Sequence, residues 1–298
     1  MSILDMNSSK RPLKIYKDPE FMSSPDARTV RILAEYLGPH FRFHREKIKD
    51  TIVFFGSARA LPKEQAKNEY RELKKSLAHS SQSPEHLKEL ERAKTQLQLA
   101  RFYDEATELS RLLTAWSLSL ANGSRRFVIC SGGGPGLMEA ANRGARLAGG
   151  KTIGLNISLP LEQDPNPYIS KGLSLEFHYF FMRKYWFAYL AKALIVFPGG
   201  FGTLDELMEL LTLVQTRKIS KKMVILLYGT HYWKEVLNFQ ALVRWGTISP
   251  EDLNLFQYAD TPQQAFRIVR KGLETYYLNP QKENPSRKSS FPQSHKTG

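Results

Sequence analysis

Two short turns in this sequence have residue types suited to holding a phosphate or carboxylate. The first is SGGGPG at 131–136, between an apolar run ending at Cys130 and the helical stretch LMEAANRGA. Gly132, Gly133, Gly134 and Gly136 admit positive φ and let a ligand approach the backbone, and the free N–H groups of a following helix favour an anion. The second is PGGFGTLDE at 198–206, again in the order apolar strand, glycines, helix. It contains Gly199, Gly200, Phe201, Gly202 and Thr203, with Asp205 and Glu206 close behind. Ligands of open α/β sheets sit beyond the carboxyl ends of the strands, so both turns should face one crevice. A third contribution is expected from GSAR at 56–59, where Ser57 offers a hydroxyl and Arg59 a cation. A tight connection without a ligand is the plainer alternative for the first turn.

The reactive candidates each carry a structural alternative. Glu206 is either a carboxylate pointing into the crevice or the last member of a T-x-x-E capping box begun by Thr203. Arg183 and Lys184 would neutralise a phosphate and polarise a leaving base, or form a solvated helix face. Glu139 and Asn142, one helical turn apart, would bind ribose hydroxyls or make hydrogen bonds on the helix face. His40 and His44 have the i, i+4 spacing of a metal pair but lack a third ligand in sequence, so no metal is expected. Cys130 fits a buried small residue better than a nucleophile.

Other nucleotide chemistries fit less well. Neither turn is followed by the Lys-Ser or Lys-Thr of a Walker A loop, which disfavours ATP hydrolysis. A dinucleotide site is disfavoured because the glycines follow the second strand, and Asn156 stands where an acidic residue should end the next. No stretch supplies a convincing lysine and phosphate site for pyridoxal phosphate.

The elements that must position these residues alternate along the chain. Strands are expected at 51–55, 126–130, 152–157, 174–179, 193–197, 223–228 and 256–259, and helices notably at 137–148, 181–192, 204–215 and 231–244. Several strands are continuously apolar, as when helices cover both faces of a parallel sheet. The pattern implies an α/β fold, a Rossmann-like doubly wound parallel sheet. Residues 1–50 read as an N-terminal helical or irregular extension and 51–276 as the nucleotide-binding catalytic domain. A helical insertion at 62–122 interrupts the rhythm; with ten Lys and Arg against nine Asp and Glu over 61–111, it resembles a solvated, ion-paired helical pair. The tail at 277–298 is polar and expected to be disordered.

Bulk composition narrows the setting. The net charge of +14 welcomes an anionic partner and need only steer a phosphate ester to a pocket. The single cysteine excludes an intrachain disulfide and suits a reducing, cytoplasmic location. No signal peptide or membrane span is evident, the most apolar stretch, 185–197, being interrupted by Lys192.

The pair SGGGPGLMEAANRGA and PGGFGTLDE, with MRK at 182–184 between them, resembles the LOG family, long labelled possible lysine decarboxylases. The resemblance covers roughly 51–259 and includes SLPLEQDPNPY at 158–168, as in the longer members. It implies a homodimeric Rossmann-like phosphoribohydrolase that cleaves cytokinin riboside 5′-monophosphates and commonly AMP, with no metal or redox cofactor. It makes Glu206 and Arg183 catalytic. The substrate-contacting set it implies, together with the turns, comprises Ser57, Gly132, Gly133, Gly134, Gly136, Glu139, Glu162, Met182, Lys184, Gly199, Gly200, Phe201, Gly202, Thr203, Asp205 and Thr212. Phe180 and Phe181 replace the polar pair usual before the Arg-Lys of this family, so the preferred base is not carried over. Two alternatives stand beside this one. A non-catalytic nucleotide or molybdenum-cofactor carrier would use the same crevice. A nucleic-acid-binding module is suggested by the charge and the basic segment 42–59, although no nucleic-acid motif is present.

Overall fold

Seven runs of β-branched, aliphatic and aromatic residues form the strands β1 (Thr51–Phe55), β2 (Val128–Ser131), β3 (Thr152–Ile157), β4 (Ser174–Phe177), β5 (Ala191–Val196), β6 (Val224–Tyr228) and β7 (Gln257–Ala259). The computed structural model describes residues 12–78, 84–120, 125–159 and 164–279. All strand pairs are parallel, in the order β4-β3-β2-β1-β5-β6-β7. The chain steps outward from β1 to β4, then returns to the other side of β1 for β5, β6 and β7. The order therefore reverses between β1 and β5, which is where a doubly wound sheet opens its crevice.

Every residue of β1 is buried, and alternate side chains serve two cores. Ile52 and Phe54 face one core together with α4 (Pro84–Ser119), α5 (Leu137–Leu147) and α10 (Pro262–Leu273). Val53 and Phe55 face the other, built with α2 (Arg28–Arg45), α6 (Phe180–Leu190), α7 (Phe201–Gln215), α8 (Thr230–Val236) and α9 (Phe239–Arg244). Among the described residues, α1 (Pro19–Ser23) and α3 (Lys63–Ala78) complete the set of α-helices. No helix among the described residues is long and apolar enough to cross a membrane.

Several boundaries move for identifiable reasons. β2 starts at Val128 because Arg126 is drawn to buried Asp50 (Nε to Oδ2, 2.7 Å) and Phe127 takes a left-handed φ of 50°. Lys192 lies in β5, since α6 stops at Leu190 and passes directly into the strand. The expected helix at 231–244 is two helices, the second capped by Asn238, whose side chain accepts from Ala241 N at 2.9 Å.

The interval 62–122 also differs from a solvated pair. Exposed ion pairs do line it, as in Lys67–Glu64 and Lys94–Glu91. Yet Phe102, Tyr103, Ala106, Leu109, Leu113 and Trp116 of α4 are buried, so this part of α4 is the covering helix of the β1-to-β2 crossover. Of the expected tail, Tyr277 and Leu278 pack against the core that Ile52 and Phe54 share with α4, α5 and α10, while 280–298 lie outside the described residues.

Candidate functional site

Three turns meet at the carboxyl ends of β1, β2 and β5. The Ser57 amide donates to Pro198 O at 3.0 Å, tying the β1 turn to the second glycine turn. Leu137 N donates to Ser57 O at 3.0 Å, tying it to the first. The contact is close enough to require glycine at 136. Its φ is 70°, and a Cβ there would lie 2.4 Å from Ser57 O and 2.6 Å from the Ala58 carbonyl carbon. Neither α5, which starts after Gly136, nor α7, which starts after Gly200, has its N-terminus capped by the side chain of its N-cap residue. The first-turn N–H groups of a helix lack intrahelical acceptors and carry partial positive charge, so both starts suit an anion.

The first turn is braced from behind. Gly133 N donates to Ser131 Oγ at 3.1 Å, and Asn166 Nδ2 donates to Gly133 O at 2.9 Å and Gly134 O at 3.0 Å. Asn142 is buried and occupied. Its Oδ1 accepts from Ser131 Oγ and Asn166 Nδ2, and its Nδ2 donates to Thr152 Oγ1 and Ile153 O. It therefore fixes the turn and is not available to ribose hydroxyls. Glu139 accepts from Tyr103 OH at 2.6 Å, which joins α4 to the helix of the first turn.

Glu206 is not a helix cap. A capping box would require Thr203 at the N-cap, but α7 begins at Phe201, three residues earlier than its apolar pattern indicates, and Thr203 lies inside it. Glu206 consequently falls in the second turn, only 4% exposed, facing Arg183. Arg183 Nη2 stands 3.3 Å from Glu206 Oε1. Its guanidinium carbon lies 5.3 Å from the Phe180 ring centroid and 5.7 Å from that of Phe187. Arg183 Nε is buried with no hydrogen-bond partner in the described structure, an unused donor beside the carboxylate. Leaving a buried donor unpaired is costly, which favours a ligand atom there.

The electrostatics are set by this burial. Loss of solvent pushes the Glu206 carboxyl up to about 7, against the opposing pull of Arg183 and Lys184. Burial likewise lowers the Arg183 pKa, although Glu206 and Asp205 favour its charge. For Lys184 burial opposes the charge, but its pairs with Asp205 (2.7 Å) and Glu209 (2.6 Å) prevail and raise the pKa. Lys184 thus links α6 to α7 and is committed to two carboxylates rather than held free for a phosphate.

The remaining expected contacts divide. Ser57, Gly199 and Gly200 lie on the meeting turns; Tyr232 OH holds Gly199 O at 2.7 Å. Phe201 is 92% exposed at the start of α7, beside exposed Gly202. Met182 faces the core rather than the crevice. Thr212 is six residues beyond Glu206, about 9 Å along the helix axis, and its hydroxyl turns back to Met208 O. Glu162 lies outside the described residues. The basic segment 42–59 forms no single surface, because it runs from the end of α2 through buried β1. Cys130 is buried in the core that holds Val53 and Phe55, and that burial raises its thiol pKa.

Comparison with known proteins agrees with the motif content. The family described as "Possible lysine decarboxylase" matches residues 138–269. A rice relative (Oryza sativa subsp. japonica), named a probable cytokinin riboside 5′-monophosphate phosphoribohydrolase, is 30% identical over 185 residues, 61% of this chain and 68% of its own. The pyrimidine/purine nucleotide 5′-monophosphate nucleosidase of Escherichia coli K12 is 35% identical over 100 residues, 30% of this chain but only 21% of its own. Among solved structures, the molybdenum cofactor carrier protein of Chlamydomonas reinhardtii is 16% identical with a TM-score of 0.44, covering 76% of this chain and 98% of that one. That similarity is too loose to bear on function.

Proposed function

The chain belongs to the LOG family, and on that premise we propose that it hydrolyses the N-glycosidic bond of a nucleoside 5′-monophosphate. Water adds its oxygen to C1′, the C1′–N bond breaks, and the base leaves with a proton. The products are the free base and ribose 5-phosphate. The observation that carries this reading is the buried Arg183–Glu206 pair at 3.3 Å, whose glutamate lies in the second turn of α7, a helix that starts without a side-chain cap.

In this scheme the helix starts after Gly136 and Gly200 hold the 5′-phosphate, so binding energy remote from the reaction orients the scissile bond. Glu206 stabilises the positive charge that develops on the ribose and takes a proton from the attacking water, a role analogous to the carboxylates of sugar hydrolysis. Its raised pKa suits a base that must release and regain a proton near neutrality. Arg183 offers its unused Nε–H to the phosphate or to the departing base.

The substrate is a cytokinin riboside 5′-monophosphate, AMP, or both. Phe180 and Phe181 are half-exposed and give this part of α6 an apolar surface, which favours a base with an apolar N6 substituent. A homodimer in the cytoplasm belongs to the same proposal. Leu33, Leu37 and Phe41 are exposed on one face of α2, and such apolar surface favours association. Light scattering checks the dimer. Turnover of AMP and of its N6-isopentenyl analogue, followed by release of free base, checks the substrate; no base from either would contradict the assignment.

A further inference from the structure

The N-terminal helix α2 lies outside the matched family region, 138–269, yet it is bonded to the helix that carries Arg183. The Glu35 carboxylate accepts from two successive backbone amides, His178 N at 2.8 Å and Tyr179 N at 3.2 Å. These amides stand directly before α6, whose N-cap residue Tyr179 supplies no side-chain cap of its own. A carboxylate at this position also suits the positive end of the helix dipole. The Glu35 carbonyl accepts from Trp186 Nε1 at 3.0 Å, so one residue of α2 grips α6 at its start and again in its second turn.

The surroundings reinforce this hold. Tyr36 packs on Tyr185 and Trp186 with ring centroids 5.6 and 6.1 Å apart, and Phe43 meets Trp186 at 5.4 Å. The Arg28 guanidinium lies 5.7 Å from the Tyr179 ring centroid. Arg42 Nη1 donates to Ser174 O at 3.1 Å, at the beginning of β4.

We propose that α2 is a strap that sets the position of α6, and that Glu35 is a positioning residue for Arg183. The inference rests on the roles assigned above to Arg183 and Glu206. Arg183 N bonds to Tyr179 O at 3.2 Å, so the residue whose amide Glu35 holds is one helical turn from the guanidinium-bearing residue. If that first turn shifts, Arg183 moves away from Glu206.

The test uses the full chain with Glu35→Ala and Glu35→Gln. Two readouts are taken: AMP turnover against pH, and hydrogen–deuterium exchange of the backbone at 178–184. Glu35→Ala should lower kcat about 10-fold, the scale expected when a catalytic group is misplaced by a fraction of an ångström, with little change in KM. Its pH–rate midpoint should move above the wild-type value, because Glu206 loses the neighbouring cation that favours its ionised form. Exchange at 178–184 should accelerate. Glu35→Gln keeps one carbonyl acceptor and should recover much of each effect, which loss of general stability does not predict. A folded Glu35→Ala protein with wild-type kcat, pH midpoint and exchange overturns the strap. If Glu35→Ala does not fold, Trp186→Phe, which removes the second grip, takes its place with the same expectations. Should the wild-type protein cleave no nucleotide, the proposed activity fails by itself. The exchange experiment then decides the strap alone: unchanged protection in Glu35→Ala contradicts it.

Discussion

Arg183 Nη2 and Glu206 Oε1 are 3.3 Å apart across the gap between α6 and α7, and both side chains are largely withdrawn from solvent. They come from the two helices that flank β5, so their separation depends on how those helices sit on one strand. The pair has more donors than it uses, since Arg183 Nε remains unpartnered. Three consequences can be measured from this pair alone, and a fourth from the turns beside it.

The first concerns pH. Glu206 acts as a carboxylate in the proposed reaction, and its pKa is about 7. The rate should therefore rise with pH through about 7 and level off above it. A kcat profile measured from pH 5 to 9 checks this; a rate that falls through the same interval would assign the protonated carboxyl as the active form.

The second concerns stability, with the sign set by the direction of the same shift. An unfolded Glu206 releases its proton near 4.5, whereas the folded residue keeps it to about 7. Between those values the folded chain holds the extra proton, so this group's contribution to stability declines as pH rises and has been lost above 7. Glu206→Gln lacks that decline. Its Tm relative to wild type should be higher at pH 8 than at pH 5, as read by calorimetry; a difference that does not change with pH would contradict a raised pKa.

The third separates charge from shape. Arg183 is stacked near two phenylalanine rings and presents several donors in a fixed plane. Lysine keeps the charge but not this geometry. Arg183→Lys should therefore lower kcat/KM by roughly 10- to 100-fold, the cost of about 1.4–2.7 kcal/mol of transition-state stabilisation. Steady-state kinetics near wild type would show that a point charge is sufficient.

The fourth contrasts two glycines. At Gly136 a Cβ would collide with backbone atoms of the β1 turn, and its φ of 70° is strained for an L residue. Gly136→Ala should lose roughly 1–3 kcal/mol or more of stability, visible in a urea melt. At Gly200 nothing lies within 4 Å of an added Cβ, so Gly200→Ala should melt like wild type; if the start of α7 holds the 5′-phosphate as proposed, the added methyl group should weaken AMP binding. Isothermal titration calorimetry distinguishes the two outcomes. Unchanged affinity in Gly200→Ala would remove the second turn from the phosphate site.

Much of the architecture was legible because it depends on local pattern. The apolar runs that became β1 and β3 keep the expected limits, and the glycine turns follow strands as their spacing requires. The misplacements have physical sources. A helix start is hard to fix when Gly200, Phe201 and Gly202 carry no capping signal, and this is why Thr203 and Glu206 resembled a cap. In α4 the balance of charges masked a second pattern, in which Phe102, Ala106, Leu109, Leu113 and Trp116 recur at helical spacing on the buried side. Tyr103 belongs to that side, and its bond to Glu139 could have been sought there. Glu35 and Asn166 gave no comparable signal. Their partners are 143 and 33 residues away in sequence, so only the fold brings them together.

In the proposed reaction Glu206 acts on a nucleoside 5′-monophosphate held by the turns. The most direct measurement incubates wild-type and Glu206→Ala protein with AMP and quantifies adenine and ribose 5-phosphate by chromatography. The wild-type protein should give equal amounts of the two products, and the variant should lose at least about 100-fold, the lower range for removal of a general base, with folding and AMP binding retained. Undiminished product from folded Glu206→Ala would contradict it.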